Sequence, residues 1–77
     1  MNITAVESST LAALAYDDGR EILQLEFRSG RKYQYFGVPA TVCEGLLRAS
    51  SKGRYFNEVI GGHFPFAPTA RAQTGGL

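Results

Sequence analysis

A chain of 77 residues and 8.4 kDa with a formal net charge of +1 buries only about 62% of the surface that its unfolded form exposes. One thin core is therefore the limit, and a second domain or a deep substrate cavity is excluded. Hydrophobic content of 44% against 19% charged residues fits a folded domain rather than a disordered chain.

The amino-terminal stretch MNITAVESST lacks the basic start and apolar run of a signal peptide, and no apolar run approaches the ~18 residues that span a membrane. Cys43 is the one cysteine and has no partner for an internal disulfide, so a reducing, cytoplasmic location is expected. Charge is segregated along the chain. Residues 1–27 set Glu7, Asp17, Asp18, Glu21 and Glu26 against Arg20. Residues 28–57 set Arg28, Arg31, Lys32, Arg48, Lys52 and Arg54 against Glu44. The asymmetry marks either an anionic partner or two halves that neutralise each other in the fold.

Residues 11–16, 21–27 and 31–36 read as strands, the last two alternating with period two. Asp18-Gly19 predicts a two-residue type I′ turn, and Arg28-Ser29-Gly30 a three-residue loop with Gly30 left-handed. Those loops pair Leu14 with Leu23, Ala12 with Leu25, Leu25 with Tyr33 and Leu23 with Tyr35. One apolar face results: Ala12, Leu14, Tyr16, Leu23, Leu25, Phe27, Tyr33 and Tyr35. The opposite face carries Leu11, Ala13, Gln24, Glu26, Lys32 and Gln34, with an apolar row of Ala15, Ile22 and Phe36 across three strands.

After Val38-Pro39 the period changes. Pro39 suits a helix start, and Val42, Leu46 and Ala49 fall at i, i+4 and i+7. Ser50-Ser51 offer caps for a second helix holding Arg54 to Ile60, which Gly61-Gly62 stop. The predicted fold class is α+β: a three-stranded antiparallel meander followed by two short helices packed on one face. Residues 63–77 lack periodicity and read as a flexible tail to a domain over 1–62.

Catalytic and metal signals are weak. His63 is the one histidine, and a Cys43–His63 dyad would lack a third orienting group. One Cys and one His do not make a metal site, and no cofactor motif is present. Asp17 and Asp18 belong in a tight turn for backbone reasons. Ser50-Ser51-Lys52-Gly53-Arg54 reads either as a capped helix start with solvated cations or as an anion site.

Several of these stretches together resemble the KTSC domain family, named from the C-terminus of some lysyl-tRNA synthetases and also found as a free-standing small bacterial protein. The matching residues run from Val6-Glu7-Ser8-Ser9 through Tyr16-Asp17, Leu25-Glu26-Phe27 and Gly30. They continue through Tyr33-Gln34-Tyr35, Val38-Pro39, Leu47 and Ala49-Ser50-Ser51-Lys52-Gly53 to Tyr55-Phe56-Asn57 and Ile60. The resemblance implies a short soluble domain of unknown molecular function, for which RNA binding is the usual suggestion. The chain is thus expected to be a non-catalytic binding module. Its candidate contacts to RNA or single-stranded nucleic acid are Arg28, Arg31, Lys32, Tyr33, Gln34, Tyr35, Phe36, Arg48, Lys52 and Arg54. The tyrosines are either core or base-stacking, and Phe36, flanked by Lys32 and Gln34, is the aromatic of the open face. The alternative is a protein-interaction or homodimerisation module using the Ala15–Ile22–Phe36 row.

Overall fold

The computed structural model describes residues 2–5 and 9–69. Among these residues, strands β1 (Asn2–Ala5), β2 (Leu11–Asp17), β3 (Ile22–Phe27), β4 (Lys32–Phe36) and β5 (Phe66–Pro68) form one antiparallel sheet in sequence order. Helix α1 (Ala40–Arg48) and a short α2 (Lys52–Tyr55), continued by a π-helical turn over Phe56–Ile60, connect β4 to β5. The class is α+β.

The loop between β3 and β4 follows its chemistry. Gly30 takes φ 96°, and the Phe27 N–H donates to the Arg31 carbonyl at 2.8 Å. Leu25 therefore faces Tyr33 and Leu23 faces Tyr35, which turns both tyrosines toward the helices. Leu14, Leu23, Leu25, Tyr35, Val38, Cys43, Leu46 and Ile60 build the core, with Tyr33, Phe27 and Phe56 packed on its edge.

The turn before it departs from expectation. Gly19 keeps a negative φ, and the left-handed residue is Glu21 at φ 56°. The Asp17 carboxylate takes the Arg20 N–H at 3.2 Å, stabilising a four-residue loop in place of the type I′ turn. Leu14 therefore stands opposite Leu25, and Tyr16 opposite Leu23. The register moves by two residues, which preserves the facing. A bulge between Leu11 and Ala13 then inserts Ala12 as an unmatched residue and reverses the facing beyond it. Leu11, expected on the solvent face, is fully buried in the core, whereas Ala12 is half-buried and outside it.

The same shift breaks the expected apolar row. Ala15 faces Gln24, and Ile22 lies between Asp17 and Phe36, leaving an Ile22–Phe36 pair. The sheet is also wider than the predicted meander, by β1 and β5. Residues 63–69, expected as the start of a tail, carry β5 instead. Phe36 N–H donates to the Pro65 carbonyl at 2.9 Å and Thr69 N–H to the Lys32 carbonyl at 3.0 Å. Residues 70–77 of the predicted tail lie outside the described residues.

Candidate functional site

Two shallow clefts meet at Ser9 and Thr10, just before β2. One, of about 580 Å³, is lined by Ser9, Thr10, Ser50, Ser51, Lys52, Gly53, Arg54, Asn57 and Glu58. The other, of about 460 Å³, is lined by Ser9, Thr10, Phe27, Arg28, Ser29, Arg31 and Tyr33. Together they make a trough whose lining holds hydroxyls and arginines from two distant stretches of sequence.

The local folding explains the juxtaposition. The backbone of the β3–β4 loop is tied to the strand beside it, Arg28 N–H donating to the Thr10 carbonyl at 2.9 Å. On the other side Gly53 comes so close that a Cβ there would lie 2.5 Å from the Thr10 hydroxyl oxygen. Thr10 therefore seats both walls. Ser51 caps α2, its Oγ accepting the Arg54 N–H at 3.3 Å. Arg54 projects into solvent and meets Glu58 at 3.7 Å, with side chains 78% and 67% exposed. A pair that exposed contributes little, so a phosphate can compete for the guanidinium.

The ten sequence candidates fall into four places. Arg28, Arg31, Lys52 and Arg54 line the trough, and Tyr33 borders it. Lys52 differs from the solvated cation expected at a helix start: its Nζ donates to the Leu47 carbonyl at 3.1 Å and the Ala49 carbonyl at 3.0 Å, closing the end of α1. Tyr35 is 5% exposed; burial pushes its hydroxyl above the ordinary tyrosine range, with Tyr33 adding to the rise. Lys32, Gln34 and Phe36 lie on the opposite face of β4, Lys32 facing Glu26 and Gln34 facing Gln24. Arg48 is exposed at the end of α1.

Sequence reasoning did not select Ser9, Thr10 or Asn57 as site residues, although Ser9 and Asn57 belong to the stretches that carry the family resemblance. It also passed over Phe66. An aromatic circuit runs Phe27–Tyr33–Phe66–Tyr35–Phe56 and back to Phe27, with centroids 5.4 to 5.9 Å apart. Phe66 is its exposed member.

Other chemistry is poorly supplied. Cys43 is buried, and burial followed by the Glu44 carboxylate pushes its thiol up, the reverse of an activated nucleophile. His63 is exposed. Among the described residues no cluster of three or more His, Cys, Asp or Glu could hold a metal ion, and no helix is long and apolar enough to cross a membrane.

The ends of the sheet differ in charge. Asp17, Asp18 and Glu21 gather at the β2–β3 turn, whereas Arg28 and Arg31 sit at the β3–β4 turn. The six residues of β3 separate them by roughly 20 Å. Since charges are screened beyond ~8–10 Å at ordinary salt, the acidic turn does little to neutralise the basic one.

Comparisons with known proteins agree with this architecture. The sequence model of the KTSC domain matches residues 7–64. The chain is 48% identical over 60 residues to an uncharacterised protein from Stutzerimonas stutzeri, covering 78% of this chain and 84% of that one. It is 47% identical over 60 residues to a lysine–tRNA ligase from a Nostoc species, of which it spans 11%. The crystal structure of a KTSC domain protein from Yersinia pestis superposes with a TM-score of 0.84 at 36% identity, covering 87% of this chain and 94% of the other. The chain belongs to the KTSC domain family.

Proposed function

We propose that this KTSC domain is a non-catalytic module of the cytoplasm that binds RNA or single-stranded nucleic acid through its sugar–phosphate backbone, laid in the trough. The observation that carries the reading is that Arg28 and Arg31 line one cleft and Arg54 the other, the two sharing Ser9 and Thr10. Guanidiniums fit phosphate oxygens bidentately, and hydroxyls supply the secondary contacts that position a strand. The likeness of this domain to a segment of a lysine–tRNA ligase gives the reading an RNA context. The open face supports the protein-interaction alternative less well, because its apolar row reduces to Ile22 and Phe36.

Titration of a labelled short RNA at several salt concentrations tests the proposal. Three arginine–phosphate contacts on a single strand give a slope of log K against log salt of about −2. Arg28→Ala with Arg31→Ala flattens it by about one or more, and Arg54→Ala by a smaller step. Lys32→Ala, on the other face, leaves it unchanged. Absence of binding at low salt, or equal flattening by Lys32→Ala, overturns the proposal.

A further inference from the structure

The far end of the trough borders an aromatic surface that the backbone contacts do not use. Tyr33 lines the arginine cleft and its ring meets Phe66 edge-on, centroids 5.6 Å apart at 77°. Phe66 in turn lies over Tyr35, at 5.5 Å and an interplanar angle of 30°. One face of the Phe66 ring is thereby occupied, and the residue is still 56% exposed.

We infer that Phe66 is a stacking platform for an unpaired nucleobase of the strand whose phosphates occupy the trough; this rests on the function proposed above and narrows its ligand to single-stranded nucleic acid. Three features suit the ring to that role. It is held on an edge strand by the backbone bonds that flank β5, so little conformational freedom is lost on stacking. Its covered face rests on Tyr35, which is itself packed edge-on against Phe56 at 5.6 Å, so the support is rigid. It carries no hydrogen-bonding group, so it accepts the π-face of any base and specifies none. Covering Tyr35 accounts for one side of the ring only. A duplex keeps its bases paired and stacked and gains nothing here.

The chain contains no tryptophan, so Phe66→Trp installs a single indole reporter at the platform. With a short single-stranded oligonucleotide of mixed sequence, this variant is expected to bind at least as tightly as wild type and to lose indole fluorescence in step with binding. Phe66→Ala is expected to weaken single-strand affinity by about 5- to 150-fold, the ~1–3 kcal/mol of one stacked base, at an unchanged salt slope. Duplex binding is expected to change less than twofold. An indole unquenched by an oligonucleotide that does bind, or equal losses for single strand and duplex, overturns the platform while leaving the trough intact. If wild type binds no oligonucleotide at low salt, the trough and the platform fail together.

Discussion

Gly53 offers a severe test of the site, because two opposing effects act on one substitution. The residue lies in α2 at an ordinary negative φ, where alanine is favoured over glycine by about 1 kcal/mol. In an isolated helix Gly53→Ala would therefore stabilise. Here the new Cβ would sit 2.5 Å from the Thr10 hydroxyl oxygen and 3.2 Å from Thr10 Cβ. The hydroxyl can be swung away only by changing the threonine rotamer, and the Cβ contact not at all, since Cβ is one bond from a backbone tied by the hydrogen bond from Arg28 N–H. Overpacking of this kind costs about 1–3 kcal/mol. The net expectation is a loss of roughly 1 kcal/mol.

A double-mutant cycle with Thr10→Ala isolates the contact. Thr10→Ala removes the 2.5 Å contact and keeps the 3.2 Å one to Cβ, so Gly53→Ala becomes about neutral in that background, a coupling of about 1 kcal/mol between the two sites. Urea unfolding of the four proteins measures it, and constant m-values guard against changes in the unfolded state. If Gly53→Ala stabilises the protein with Thr10 in place, the close approach of α2 to β2 is refuted, and with it the seating of the trough walls.

Three further outcomes follow from the core and the caps. Leu25→Ala, at a fully buried position between Leu14 and Tyr33, should cost about 2–5 kcal/mol, whereas Tyr33→Phe at the half-buried rim should cost no more than ~1; equal small losses in denaturant would show that this face is not the core. Lys52→Met should cost about 1 kcal/mol by freeing the Leu47 and Ala49 carbonyls, while Arg54→Ala stays within ~0.5, so melting both variants separates a capping cation from a surface one. Burial raises the hydroxyls of Tyr16 and Tyr35, with Glu21 next for Tyr16 and Tyr33 next for Tyr35. Both remain protonated in the fold at pH values where the unfolded chain ionises, so stability is full below about pH 10 and falls above it. Tyr35→Phe should blunt that alkaline fall; Tyr16→Phe also loses its 2.6 Å bond to the Val38 carbonyl and should lower stability at every pH. An alkaline fall unchanged by Tyr35→Phe would count against the burial of its hydroxyl.

How legible each part of the fold was depends on whether its cause is local. Gly30 supplies its own left-handed turn, so the β3–β4 register followed from three residues. The Asp18-Gly19 signal competed with an alternative equally local but less conspicuous, the Asp17 side chain accepting a backbone N–H, and the alternative prevailed at the expense of a left-handed Glu21. Ala12 carries no mark of a bulge in the sequence; the strand register and the burial of Leu11 show it. Strand β5 is three residues long with Pro68 on its outer edge, where a missing N–H costs nothing. Nothing in HFPFAP alternates strongly enough to declare it, because its hydrogen bonds are lent by β4. Lys52 was misplaced for the same reason, its partners being carbonyls at the end of another helix.

The charge asymmetry shows the limit from the other side. Its size was countable in the sequence, yet an acidic half folded onto a basic half would have the same count. Geometry separates the two. Among the described residues, the ion pairs Arg20–Asp17 at 3.9 Å and Arg54–Glu58 at 3.7 Å are each between near neighbours in sequence; Glu26 faces Lys32 across β3 and β4, and β3 carries the acidic and basic turns to opposite ends of the sheet. Arg28 and Arg31 line one cleft and Arg54 the other, and the clefts meet at Thr10, which seats one wall through its carbonyl and the other through a glycine with no Cβ to obstruct it. Three arginines from a strand loop and a helix thereby line clefts that share this residue. A substitution at Thr10 that keeps the fold but widens the gap should therefore weaken anion binding more than its own hydroxyl accounts for.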